Sequence, residues 1–156
     1  MKRVVTTVGA VALVALFAAV PLAAKGGLER RVMFSERMLL TGPNTQAGTF
    51  VAAGAVNDAG SANAEFTVTP RKHNRGELRG THVFTGSNGT ITLKTVALVY
   101  PFPPPTPPRS FAQGRWWISG ATGAYAGLEG RGKIFATADF TSGQVTILRP
   151  GKVRRD

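Results

Sequence analysis

The chain contains no cysteine, only two histidines and only eight carboxylate side chains among its 156 residues. Without cysteine it can form neither a disulfide nor a lipid anchor on a lipobox cysteine, so its stability must come from packing. A closed structural zinc site is hard to build, because such sites use cysteine and histidine ligands. We expect neither a metal nor a cofactor.

Common catalytic motifs are missing as well. There is no G-x-S-x-G sequence of the kind that presents a nucleophilic serine. The G-x-x-x-x-G-K-[ST] order of a phosphate-binding loop is also absent. The sequence therefore indicates an architecture and a compartment, but it does not by itself name a reaction.

A long apolar segment lies at the N terminus and is typical of a secretory leader. Lys2 and Arg3 form a positive start, residues 8–20 are apolar, and Ala24 ends a short run of small residues. We predict a signal peptide over residues 1–24, cleaved after Ala24, and hence a secreted or periplasmic protein. The alternative is an uncleaved anchor helix, because about 20 apolar residues are enough to span a bilayer.

Basic residues exceed acidic ones and give a formal net charge of +11 at pH 7. They cluster at residues 71–75 and 152–155. Such clusters attract polyanions and anionic membrane surfaces weakly, or simply keep a loop and a tail solvated. Aromatic residues are not interleaved with them, so no specific nucleic-acid partner is expected.

Short alternating segments separated by turn residues predict an all-β protein. Strands are expected at about residues 31–40, 48–56, 62–69, 77–85, 90–100, 112–119, 130–140 and 144–149. Eight sequential strands with mostly short connections favour a single antiparallel up-and-down eight-stranded β-barrel, calycin-like, over residues 25–150, followed by a basic tail at 151–156. A two-sheet sandwich is the alternative. The proline-rich run at 101–108 is expected to cross the surface as a stiff connection or lid.

A glycine-rich segment at residues 114–132 carries a family resemblance. Its characteristic positions are Ile118, Gly120, Thr122, Gly123, Tyr125, Leu128 and Gly130. They resemble the I-x-G-(G/A)-T-G-x-(F/Y)-x-x-(L/A)-x-G segment of the allene oxide cyclase and dirigent barrel superfamily, and particularly its small secreted bacterial barrel-like members. The resemblance implies a barrel that works without metal or cofactor, through a cavity with an acidic group, and that often forms trimers.

Candidate site residues follow from the alternation. Glu36 and His82 each share a strand face with apolar residues, and inside a barrel their pKa values would shift toward acid–base work. We therefore predict Glu36 and His82 as catalytic candidates. The predicted ligand contacts are Phe34, Phe84, Trp116, Trp117 and Tyr125. The alternative is structural: Glu36 at the barrel mouth or paired with an arginine, and His82 as a core or rim residue.

The expected function is that of an exported barrel that binds a small apolar ligand in its lumen or serves as a homo-oligomeric scaffold. The alternative, which the resemblance implies, is a cofactor-free cyclase or isomerase that acts on an oxidised lipid or phenolic intermediate.

Overall fold

The computed structural model describes residues 27–104 and 108–155, so the predicted leader lies outside the described residues. The described residues form eight strands and one short 3₁₀ helix. The strands are β1 (Arg30–Gly42), β2 (Thr45–Gly54), β3 (Asp58–Arg71), β4 (Arg75–Gly86), β5 (Gly89–Tyr100), β6 (Arg109–Ala121), β7 (Leu128–Asp139) and β8 (Gln144–Arg155), and the helix is Gly123–Tyr125.

The strands pair in chain order and close into an antiparallel barrel. On β1, Met38 lies opposite Gly48 of β2 on one side and opposite Val145 of β8 on the other. This closure confirms the predicted eight-stranded up-and-down barrel and excludes the sandwich, since the first and last strands protect each other's edges.

Strand β8 is longer than the sequence predicted. It continues through Pro150 to Arg155, over the residues that were expected to form a basic tail. Next to Pro150, Lys133 and Ile134 of β7 form no regular pair with β8, so a proline is tolerated at this position. The missing amide donor of Pro150 therefore falls at a gap in the ladder.

The two ends of the barrel differ. One end carries the β1–β2, β3–β4, β5–β6 and β7–β8 connections, and we call it the cavity end. The other carries the remaining connections and the glycine-rich corner, and we call it the packed end. At this corner Gly123 and Gly127 adopt φ values of +62° and +76°, which glycine tolerates. Tyr125, just after Gly123, donates a hydrogen bond of 2.7 Å to Asp58 and ties the corner to β3.

Aromatic side chains fill the lumen at the packed end. The Phe34 ring lies 5.4 Å from that of Phe84 and 5.6 Å from that of Trp116, between ring centroids. Gly151 makes room for the Trp116 indole, because a Cβ atom at that position would overlap it. The lumen at the packed end is therefore a closely packed aromatic core.

Within residues 27–104 and 108–155, no helix has the length and apolarity needed to cross a membrane.

Candidate functional site

The lumen is hollow at the cavity end. A cavity of about 340 Å³ opens there, and most of its wall is apolar. Side chains that line it include Leu40, Phe66, Val68, Leu78, Val99 and Val145. Among the described residues that line it, none is an Asp, Glu, Lys or Arg.

The cavity is hollow because small residues occupy its wall. At the cavity end, Ala97, Ala112 and Ala136 face the lumen. The inward positions at the packed end carry larger side chains such as Phe34, Phe84 and Trp116. The interior of an eight-stranded barrel is only just wide enough to be filled by side chains. Alanine at several inward positions therefore leaves space for a small molecule.

A buried polar cluster lies at mid-height in the barrel, between the cavity and the aromatic core. Glu36 on β1 contacts His82 on β4, with Oε2 2.8 Å from Nδ1. Arg149 on β8 donates from Nε to the other carboxylate oxygen of Glu36, and its Nη1 donates to Thr95 Oγ1 on β5 at 2.8 Å. All four residues are buried. The side chains of Glu36, His82 and Arg149 thus meet in the buried interior of the barrel. With Thr95, the cluster draws on residues from four strands.

The electrostatics of the cluster fix its protonation. Burial alone would raise the pKa of Glu36, but the Arg149 charge and hydrogen bonds from Arg149 and His82 outweigh it and lower that pKa to about 2. Burial, and then the Arg149 charge, lower the pKa of His82 against the opposing effect of Glu36. Near neutral pH the cluster therefore holds an ionised Glu36 and a neutral His82.

The neutral imidazole has a defined tautomer. An ionised carboxylate only accepts hydrogen bonds, so Nδ1 of His82 must carry the proton that it donates to Glu36. Nε2 is then an acceptor, and it has no hydrogen-bond partner among the described residues. Because His82 lines the cavity, this acceptor is the polar group at its floor.

Two further polar groups lie in the cavity wall. Gln46 Oε1 is buried and has no hydrogen-bond partner within the described part of the chain. Ser110 donates its hydroxyl proton to the carbonyl of Pro101 at 2.6 Å, which leaves its oxygen as an acceptor. The cavity therefore presents hydrogen-bond acceptors within a mainly apolar wall.

The start of the proline-rich connection forms part of the cavity mouth. Phe102 lines the cavity, and its amide donates to the carbonyl of Asn74 at 2.7 Å. Its ring lies over Gly76, where a Cβ atom would come within 3.0 Å of it. These contacts hold Phe102 across the β3–β4 turn at the entrance.

The structure brings the two predicted catalytic candidates together although 46 positions separate them. Of the structural alternatives for Glu36, it shows pairing with an arginine. Sequence reasoning missed Arg149, Thr95 and Gln46. Arg149 had a usable signal, since it continues the inward alternation of Val145 and Ile147 on β8.

The five predicted ligand contacts do not line this cavity. Phe34, Phe84 and Trp116 lie in the aromatic core of the packed end. Trp117 lies on the outer face and is 42% exposed. Tyr125 lies at the packed end, where burial and the hydrogen bond to Asp58 raise its pKa to about 12.

No group of three or more His, Cys, Asp or Glu side chains within residues 27–104 and 108–155 is arranged to hold a metal ion. Comparison with known proteins gives no further guide to function: no protein-family model, no curated protein and no solved structure matches the chain.

Proposed function

We propose that the barrel binds a small, uncharged, largely apolar molecule in the lumen at its cavity end. A hydroxyl of that molecule donates a hydrogen bond to His82 Nε2. The observation that carries the proposal is an unpartnered acceptor on a buried histidine at the floor of an apolar cavity. Gln46 Oε1, in the same cavity wall, is buried and unpartnered within the described residues. Buried polar groups in proteins are normally satisfied, so an unsatisfied one at a cavity suggests a ligand.

The size of the cavity limits the ligand. A volume of about 340 Å³ is roughly twice that of an engineered cavity of about 150 Å³ that binds benzene. Two fused rings, or an aliphatic chain of similar bulk, fit this space. Larger ligands would have to extend past Phe102 at the mouth.

The lack of charged side chains among the described residues of the cavity wall further limits the chemistry of the ligand. A carboxylate or phosphate group in the cavity would lose its hydration without gaining a cation, because the described lining residues carry none. A hydroxyl group would instead meet His82 Nε2 or Gln46 Oε1 as acceptors. Phenols and apolar alcohols are therefore favoured over free acids of the same size.

Calorimetric titration of the purified full chain with 2-naphthol, naphthalene and 2-naphthoate tests this proposal. We expect saturable binding of 2-naphthol, about fivefold weaker binding of naphthalene for the loss of one hydrogen bond worth about 1 kcal/mol, and no binding of the acid. Ala97→Leu fills the cavity and should abolish binding, whereas Ala53→Leu at an exposed position of β2 should not. Saturable binding that Ala97→Leu leaves unchanged would contradict the proposal, as would the absence of binding by all three probes.

A specific observation also favours an enzymatic alternative, a cofactor-free isomerase or cyclase. The Glu36–His82 pair has the arrangement of a general base oriented by a carboxylate, since Nε2 is free to accept a proton while Glu36 stabilises the resulting imidazolium. The imidazolium could return the same proton to another atom of the ligand, so that the reaction is a balanced isomerisation. Arg149 and Thr95 position Glu36 and would not touch the ligand.

Proton exchange tests this alternative without knowledge of the natural substrate. In D₂O, the full chain should accelerate deuterium incorporation next to the carbonyl of 2-tetralone, measured by NMR. His82→Gln should remove the acceleration, and His73→Gln, at an exposed turn, should preserve it. Equal rates with and without protein would rule out the base.

The scaffold alternative depends on an apolar stripe on the outer wall. Tyr100 pairs with Phe111 across β5 and β6, and Phe135 pairs with Leu148 across β7 and β8. Each of these four side chains is more than 40% exposed. We propose that a second copy of the chain covers this stripe, because exposed apolar patches mark association surfaces. Light scattering should show an oligomer that Phe111→Ser with Phe135→Ser converts to monomer.

A further inference from the structure

The basic clusters visible in the sequence are partly neutralised in the folded chain. Arg71 and Arg79 both contact Glu77, at 2.5 and 2.7 Å. Arg154 contacts Glu129 at 2.7 Å. Ion pairing therefore reduces the positive potential at the β3–β4 turn and near the end of β8.

Barrel closure assembles a different concentration of cations. Arg31 of β1 lies opposite Lys152 of β8, which lies opposite Arg131 of β7. Arg131 in turn lies opposite Trp117 of β6, and Trp117 opposite Lys94 of β5. One strand level of the outer wall thus carries four cations and one aromatic side chain across five neighbouring strands.

A second pair of cations lies beside this row. Arg115 of β6 pairs with Lys133 of β7, two residues along from Trp117 and Arg131. We call Arg31, Lys94, Arg115, Arg131, Lys133 and Lys152 the basic band. All six side chains belong to exposed residues.

The surface under the band is concave. A depression of about 800 Å³ lies between Arg31, Arg131, Lys133 and Lys152. Gly54, Gly132, Pro150 and Gly151 also line it. Four of the six cations of the basic band therefore flank one trough, and Lys94 and Arg115 extend the band beyond it.

Little negative charge opposes these cations. Glu29 is the acidic residue that lines the trough in the described chain, at 3.4 Å from Lys152 and 3.8 Å from Arg131. Pairs of this length between exposed groups contribute little energy. An incoming anion can therefore displace Glu29 at small cost.

We propose that the basic band binds a linear polyanionic polysaccharide. Neighbouring strands lie about 4.8 Å apart, so the row from β1 to β5 extends over roughly 19 Å, which suits successive charges on a chain better than one small anion. A flat bilayer can meet only part of a row that curves around the barrel wall. Single-stranded nucleic acid is recognised by successive stacking aromatics, whereas this row offers Trp117 alone among its five residues.

The test compares two triple variants that remove the same charge. In the band variant, Arg31, Arg131 and Lys152 become glutamine. In the control, Arg37, Lys72 and Arg75, which are exposed nearer the cavity end, become glutamine. Affinity of the full chain for alginate and heparin oligosaccharides is measured against salt concentration, with circular dichroism and unfolding midpoints to check folding. A (dT)20 oligonucleotide and phosphatidylglycerol vesicles are run in parallel.

Binding should weaken steeply with salt, because neutralisation of a polyanion releases its counterions. By analogy with single-stranded nucleic acid, at about 0.7 per contact, the band variant should lose about two from the slope of log affinity against log salt. The control should stay near the parent value. Equal losses in both folded variants would overturn the proposal by showing that only net charge matters. Tighter binding of (dT)20 or of vesicles than of either polysaccharide would also overturn it.

Discussion

Replacing Glu36 by glutamine preserves the size of the side chain and removes its charge from the middle of the barrel. Arg149 would then be a fully buried cation without a counter-charge, and its Nη2 already lacks a hydrogen-bond partner within the described residues. Breaking a buried ion pair by removing one partner costs about 3–5 kcal/mol. Because a domain of this kind is stable by only about 5–15 kcal/mol, the expected loss is a large part of the total.

Urea unfolding measures this loss. We expect Glu36→Gln to lower the unfolding midpoint while the dependence of the free energy on urea stays constant. The matched control is Glu129→Gln, which removes the same charge from an exposed pair with Arg154 and should cost about 0–1 kcal/mol. Changing Glu36 to Gln together with Arg149→Met should recover part of the lost stability, because it removes the buried cation that Glu36→Gln leaves without a counter-charge.

Two results would refute this reasoning. The first is a cost for Glu36→Gln no greater than that for Glu129→Gln, since the central charges would then not be desolvated. The second result applies if Glu36→Gln does not fold at all. The double variant with Arg149→Met should then fold, and its failure to fold would show that the charge left on Arg149 is not the cause.

Further predictions concern pH and the packed end. The pKa values of Glu36 and His82 are both lowered in the folded chain, so the unfolded chain binds their protons more tightly. The free energy of unfolding should therefore be highest above pH 6.5 and decline on acidification. Protonation of His82 should contribute first, and protonation of Glu36 should follow between pH 4.5 and about 2. In His82→Gln, the part of this decline between pH 6.5 and 4.5 should be smaller. The pKa of Tyr125 is raised, so its contribution to the free energy of unfolding should be complete below pH 10 and disappear between pH 10 and about 12. Tyr125→Phe should abolish this alkaline decline. It should also lower the free energy of unfolding at neutral pH by about 1–2 kcal/mol, because the hydrogen bond to Asp58 is lost. Gly151→Ala should destabilise the barrel by about 1–3 kcal/mol by overpacking, measured by urea unfolding, and a variant as stable as the parent would contradict the close packing of that site.

Local patterns in the sequence predicted the barrel well because a strand repeats every two residues. The alternation from Val32 to Met38 gave the buried face of β1, and the turn residues between segments gave the hairpins. Pro150 led to a wrong end for β8, since proline usually ends a strand and the sequence does not show that the opposing ladder has a gap there.

The site was only partly predictable. Alternation placed Glu36 and His82 among apolar neighbours, and the structure pairs them. Trp116 and Trp117 were both predicted as ligand contacts, but Trp116 is enclosed by Phe34 and bare glycines, and Trp117 lies on the outer face. Whether an inward side chain lines a cavity or fills a core depends on residues from every other strand.

The sequence by itself determined that the chain forms short antiparallel strands with alternating faces, because that preference is set by each residue and its immediate neighbours. Only the tertiary structure decided that Arg149 reaches Glu36, that the lumen is packed at one end and hollow at the other, and that Arg31, Lys152 and Arg131 share one level of the outer wall. The Arg149–Glu36 contact and the Arg31–Lys152 pairing arise from closure of β8 onto β1. The register of that closure brings together residues more than a hundred positions apart, and it depends on how all the interior side chains fill one volume.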